Sequence, residues 1–136
     1  MTDKQYWLVK SEPSAYSYDQ LEQDGSTRWD GVRNHQAKAN LGKMRVGDAV
    51  LFYHSIVDKA VIGLCEVSRE GYPEPGAEAW TVVDVVPVRR LKRPVTLAEI
   101  KVDASLSDIA LLKQSRLSVM PLTQMEFERI LALSDA

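Results

Sequence analysis

Three sets of side chains in this chain could do chemistry. His35, His54 and Cys65 are donors that a metal would choose. They come without a CxxC and without histidines paired at ligand spacing, so neither a metal site nor a cofactor is expected. His54 and Ser55, with an aspartate, form a nucleophilic triad on paper. No GxSxG elbow surrounds Ser55. Neighbours in a strand point to opposite faces, so these two side chains should not meet there. Cys65 falls mid-strand, where a cysteine usually acts as a small buried hydrophobe. Neither a Walker A sequence nor GxGxxG occurs to cradle a phosphate. The chain is therefore expected not to be an enzyme.

The third set is polar and aromatic, and it gathers at strand ends. Lys10-Ser11-Glu12 closes one strand, and Trp29-Asp30-Gly31-Val32-Arg33-Asn34 forms a loop. His54-Ser55 closes the central strand, and Arg116-Leu117-Ser118 precedes Pro121. A pocket for a nucleobase needs such parts: a ring to stack on, short polar groups for the base edge, and cations for phosphate. Each part has a second reading. Trp29 alone suits a core or lid tryptophan, and Arg33 and Arg116 suit surface ion pairs.

The elements that must hold these groups are legible in outline. Gln5 to Lys10 is a short apolar-rich strand stopped at Pro13. Ser17-Tyr18-Asp19-Gln20 has capping-box spacing and opens a short helix that Gly25 can end. Asn34 can cap a helix through about Leu41, with Gly42 as its left-handed stop. Val46-Gly47-Asp48 marks a turn. Ala49 to Ser55 and Val61 to Ser68 make the clearest hairpin. Gly71 to Gly76, with Pro73 and Pro75, is expected to be a loop. Trp80 to Val88 is a β-branched third long strand. Thr96 and Thr123 open capped helices, Ser105 or Ser107 a further one through about Lys113, and Arg116 to Val119 a brief strand. In the last helix Phe127, Ile130, Leu131 and Leu133 share a core-facing spacing. The order of elements does not alternate strand and helix. It predicts an α+β fold: a small antiparallel or mixed barrel of five or six strands with peripheral helices, in one domain spanning 1–136.

Charge is unevenly spread. The net charge is −2, too little positive charge for avid non-specific binding to DNA. Yet Arg28 to Arg45 holds five basic residues against Asp30, and Arg89 to Lys101 holds five against Glu99. Glu66 to Asp84 holds five acids and only Arg69. The basic stretches suit either local phosphate contact or scattered solvated charge. The lone cysteine fits a reducing compartment. No apolar run approaches a membrane span, and no signal-peptide core opens the chain, so a cytoplasmic location without membrane association is expected.

Five blocks carry a resemblance to a known family. YWLVKSEP (Tyr6 to Pro13), WDGVRNHQAKANL (Trp29 to Leu41), MRVGDAVLFYHS (Met44 to Ser55), AVIGLCEV (Ala60 to Val67) and RLSVMPLT (Arg116 to Thr123) closely resemble the EVE domain, in that family's order. The resemblance implies a PUA-like fold, a small and strongly curved β-barrel flanked by helices and similar to YTH domains. It implies a reader of a single modified base in DNA or RNA, and the chain is expected to be a monomer. Carried over by motif, Lys10, Ser11 and Glu12 would border the pocket and Trp29 would be a cage aromatic. Asp30, Gly31, Val32, Arg33 and Asn34, with Gln36, would wrap the base and its first phosphate. His54 and Ser55 would form another wall, and Arg116 and Ser118 the far rim. Lys38 stands where the family more often has arginine; it keeps the charge and loses the bidentate fork. The motifs do not choose a second cage aromatic among Tyr16, Tyr53 and Trp80.

Two other classes compete with the reader. An enzyme acting on nucleic acid or nucleotide would use His54 or Glu12 as acid or base. A protein-interaction module would keep the pocket only as a vestige.

Overall fold

In the computed structural model, which describes residues 4–136, six strands form one mixed sheet in the order β2-β5-β4-β3-β1-β6. The strands are β1 (Tyr6–Ser11), β2 (Thr27–Arg28), β3 (Ala49–His54), β4 (Ala60–Glu74), β5 (Ala77–Thr96) and β6 (Val119–Leu122). The helices are α1 (Tyr18–Asp24), α2 (His35–Lys43), α3 (Leu97–Val102), α4 (Ala110–Lys113) and α5 (Gln124–Asp135), with a 3-10 turn at Ala104–Leu106. β1 runs parallel to β3, with Ser11 opposite His54, and the other pairings are antiparallel.

The α+β class and the mixed sheet are as expected. The barrel does not close: among the described residues no pairing joins the edge strands β2 and β6. With two and four residues, those edges are too short to complete a ring.

β3 is central and buried along its whole length, which explains its unbroken apolar run. Its Phe52 meets Tyr18 edge-on at 5.4 Å, Trp29 at 5.4 Å and His54 at 5.6 Å. Just before β3, the carboxylate of buried Asp48 accepts from the Trp7 indole at 2.9 Å and from the amides of Gln5 at 3.1 Å and Arg45 at 3.0 Å.

The Tyr18 ring lies on Gly63, the partner of Phe52 in β4. Its hydroxyl donates toward the carbonyls of Leu64 and Arg89. A Cβ at residue 63 would overlap that ring. Gly63→Ala should therefore cost about 2 kcal/mol, within the range for overpacking a dense core. Urea unfolding should show a lower midpoint at unchanged slope. In a Tyr18→Ala background the same change should cost far less, because the two sites share the clash.

Several local expectations are corrected. α2 runs through Gly42 to Lys43 and ends at Met44 in extended backbone, so Gly42 is not the stop. Gly71 to Glu74 is strand, not loop, and the turn shrinks to Pro75-Gly76, with Glu74 paired to Ala77. Proline at its first position and Gly76 at φ 82° suit that two-residue turn. Pro73 is tolerated because β4 beyond Val67 pairs only with β5, leaving its other side open. Pro121 lies inside β6, an edge strand, for the same reason. Asp103, not a serine, caps the 3-10 turn, and α4 starts without a side-chain cap. The capping boxes at Thr96 and Thr123 form in full.

Candidate functional site

A cavity of about 590 Å³ lies between the end of β1, strand β2 and the loop leading to α2. That volume is typical of small-ligand sites. Lys10, Ser11 and Glu12 line it from β1, Ala15 and Tyr16 from the next loop, and Thr27 and Arg28 from β2. Trp29, Asp30, Gly31, Val32 and Arg33 follow, and Ser118 completes the wall.

Local chemistry explains the shape. The Ser11 hydroxyl donates to the Tyr16 carbonyl at 2.6 Å and folds the β1–α1 connection back onto the strand. The Tyr16 hydroxyl donates to Asp24 at 2.8 Å, and this half-buried residue lines the cavity. Burial, foremost, pushes that phenol above its usual range. Trp29 is tied by its amide to the Val83 carbonyl at 2.7 Å and stands on Phe52. Only 8% exposed, it is a core tryptophan and a cavity wall at once.

The outer lip is held by one carboxylate. Glu74 accepts from the Gly31 amide at 2.9 Å and takes both ends of the Arg33 guanidinium at 3.1 and 2.7 Å. Gly31 has φ 76°, which brings its amide into that grip without a side-chain penalty. The guanidinium first, and then the amide, hold the Glu74 carboxyl at about 2. A depressed carboxyl stabilises the fold above its ordinary value of 4.5, and the contribution is lost as pH falls through about 2. Glu74→Gln should thus lower the thermal midpoint at neutral pH, and its gap to wild type should narrow as the pH falls from 4.5 to about 2. A gap constant with pH would rule this coupling out.

Cations ring the cavity unequally. The Lys10 ammonium donates to the Ser115 carbonyl at 2.6 Å and keeps two further N–H groups; burial lowers its pKa. Arg28 pairs with Asp30 at 3.5 Å in the open, a weak contact. Arg33 was expected to meet phosphate, but Glu74 occupies its fork, so an anion would meet only its outer edge. In the second basic stretch two of the five cations are engaged by acids: Arg90 pairs with Asp19 and Glu22, and Arg93 with Glu99.

Nine of the fifteen expected positions meet at this cavity: Lys10, Ser11, Glu12, Trp29, Asp30, Gly31, Val32, Arg33 and Ser118. The other six lie elsewhere. The Asn34 side chain is spent capping α2 through the Ala37 amide. Gln36 and Arg116 border a separate hollow beside Lys113. Lys38 lies 5.7 Å from the Trp80 ring, which also carries Arg33 at 5.3 Å and a stacked His35. The His54–Ser55 wall is corrected to a buttress behind Ser11. His54 Nε2 accepts from the Tyr18 amide at 3.1 Å, so Nδ1 carries the proton facing Asp58 at 2.7 Å. Its ring points inward because β3 is central. The Ser55 amide donates to the Ser11 carbonyl at 3.0 Å.

Tyr16 is the one of the three candidate second rings that lines the cavity; Tyr53 is buried and Trp80 lies apart. Thr27, Arg28 and the support from Glu74 were not singled out by motif. The opposed charges of the Arg28–Arg45 and Glu66–Asp84 stretches were the available signal for Glu74.

The EVE domain model matches residues 5–133. This chain belongs to the EVE domain family. It is 33% identical to human thymocyte nuclear protein 1 over 166 aligned positions, covering 96% of this chain and 74% of the relative. Among solved structures, Rpa0253 of Rhodopseudomonas palustris is 44% identical with a TM-score of 0.92, covering 96% of this EVE domain and 93% of that chain. Human THYN1, solved in complex with DNA containing 5-methylcytosine, is 32% identical with a TM-score of 0.90, covering 98% and 99%. An ASCH structure from Zymomonas mobilis, 12% identical with a TM-score of 0.62, shares the fold. Among the described residues of this EVE domain, no helix is long and apolar enough to cross a membrane.

Proposed function

We propose that this EVE domain binds nucleic acid and draws one modified base into the cavity lined by Trp29 and Tyr16. The observation that carries the reading is that cavity itself: two rings, the short hydroxyls of Ser11, Thr27 and Ser118, and the ammonium of Lys10 around one volume. Rings suit a base face, hydroxyls its polar edge, and cations the phosphate beside it. The likeness to human THYN1, solved with 5-methylcytosine DNA, supports the same class of ligand. A methyl group against the rings adds about 0.8 kcal/mol of apolar contact, so strong selectivity needs a polar mismatch for the plain base as well.

Binding without catalysis is part of this proposal. Of the two groups an enzyme would use, Glu12 lines the cavity, whereas His54 has both ring nitrogens engaged and lies off it, so no acid–base pair meets there. A monomer working in the cytoplasm completes the reading.

The test is a titration of labelled oligonucleotides, each with one 5-methylcytosine, 5-hydroxymethylcytosine, N6-methyladenine or plain base, as DNA and as RNA. One modified form should bind more tightly than its plain counterpart, and added salt should weaken all forms. Equal affinity for every modified and plain form would remove the reader assignment.

A further inference from the structure

The Ser55–Lys59 turn between β3 and β4 is unlike the rest of the fold. Ile56 adopts φ 70° and Lys59 φ 48°, the left-handed region that a β-branched residue rarely enters. Ile56 is 65% exposed and its neighbour Val57 is 73% exposed. Adjacent apolar side chains therefore stand in water on strained backbone, where packing gives no reason for them. Such strain points to a use for the conformation.

The turn is held stiff. The Val57 amide donates to the Ser55 carbonyl at 2.8 Å, and Asp58 is pinned to His54 at 2.7 Å. The Leu97 amide fixes the Lys59 carbonyl at 2.8 Å. Its root is tied to the cavity, because Ser55 bonds to Ser11 and Ser11 lines the wall. Asp58 faces His54, and Lys59 is the exposed cation beside the tip.

We propose that Ile56 and Val57 form a wedge that enters a nucleic-acid duplex where one nucleotide has been drawn into the cavity. The inference rests on the base-pocket reading above. Drawing a base from a duplex leaves a hole in the stack, and apolar side chains inserted between base steps support such openings. A rigid branched tip whose root, Ser55, is bonded to the cavity residue Ser11 has the shape and apolar character for that task. Lys59 is placed to meet the phosphate beside the opening.

The double variant Ile56→Gly/Val57→Ser tests this. Glycine accepts the positive φ without strain, so the variant should keep its fold and melt no earlier than wild type. The probe is a short DNA strand with one 5-methylcytosine, used single-stranded and annealed to its complement. The variant should bind the single strand as wild type does and the duplex about tenfold more weakly. With 2-aminopurine beside the modified base, fluorescence should rise on binding wild type and stay low with the variant. Unchanged duplex affinity overturns the wedge and leaves the pocket standing. Equal losses on both forms also overturn it, because the tip would then merely support the cavity. If wild type binds neither form, the wedge fails on this DNA, while the pocket reading stands or falls with the wider titration above. If Ile56→Gly lowers the melting point, Val57→Ser alone carries the same comparison.

Discussion

Trp29→Ala is expected to weaken binding of a modified oligonucleotide by roughly 5- to 150-fold, the span of about 1–3 kcal/mol for one base–aromatic stack. The indole also stands on Phe52 in the core, so the same change should lower stability by about 3–5 kcal/mol. Affinity must therefore be measured where circular dichroism shows the variant folded. Tyr16→Ala separates the two effects. Its ring is half-buried and its hydroxyl bonds to Asp24 at the surface, so stability should move little while affinity falls by a similar factor. Salt titration adds a second readout: ring variants should shift affinity without changing the salt slope, whereas Lys10→Gln should flatten the slope. Wild-type affinity in folded Trp29→Ala and Tyr16→Ala alike would mean that the rings do not hold the base.

Asp48→Ala should cost about 3–5 kcal/mol, among the largest single losses available in this fold, because it strips partners from three donors at once. The Trp7 indole N–H has no access to water and bears most of the penalty. The Gln5 and Arg45 amides are only partly buried and recover some hydration. The site sits at the start of both β1 and β3, so its loss frays the parallel pair whose far ends carry Ser11 and His54. Asp48→Asn keeps one acceptor oxygen and should cost visibly less. Chemical denaturation of the three proteins, read by Trp fluorescence and circular dichroism together, gives the order. A midpoint for Asp48→Ala within error of wild type would show that the carboxylate is dispensable.

Periodicity and capping chemistry made the elements legible because their signals are local. Ser17, Asn34, Thr96 and Thr123 each cap a helix as their spacing implies. Failures came where tertiary partners override local preference. Pro73 and Gly71 mark turns in most contexts, yet the strand survives: β5 pairs with Tyr72 and Pro73, and Gly71 falls in a register shift between Arg69 and Tyr72. Whether the curved sheet closes depends on edge-strand length, which is not written in a hydrophobic pattern. At the site, block resemblance and residue type brought nine positions to one cavity, but neither could see which side chains the fold had already engaged. Asn34, Arg33 and His54 are polar and well placed in sequence, and each is committed to a partner inside the protein. Tyr16 could not be picked from Tyr53 and Trp80, because the choice depends on the Ser11–Tyr16 bond that folds the loop inward.

The grip of Glu74 on Gly31 and Arg33 has a mechanical consequence. Glu74 stands one residue before the Pro75-Gly76 turn, at the tip of a two-stranded arm that outruns the rest of the sheet. The inner side of the cavity is anchored in β1 beside the central strand, while the opposite side hangs from that arm. The hollow is thus clasped from two sides, by β1 beside the central strand and by the β4–β5 hairpin. Because the same hairpin also holds Trp29 through Val83 and rests on α2 at Gly71 and Trp80, lip and floor are fastened to one support.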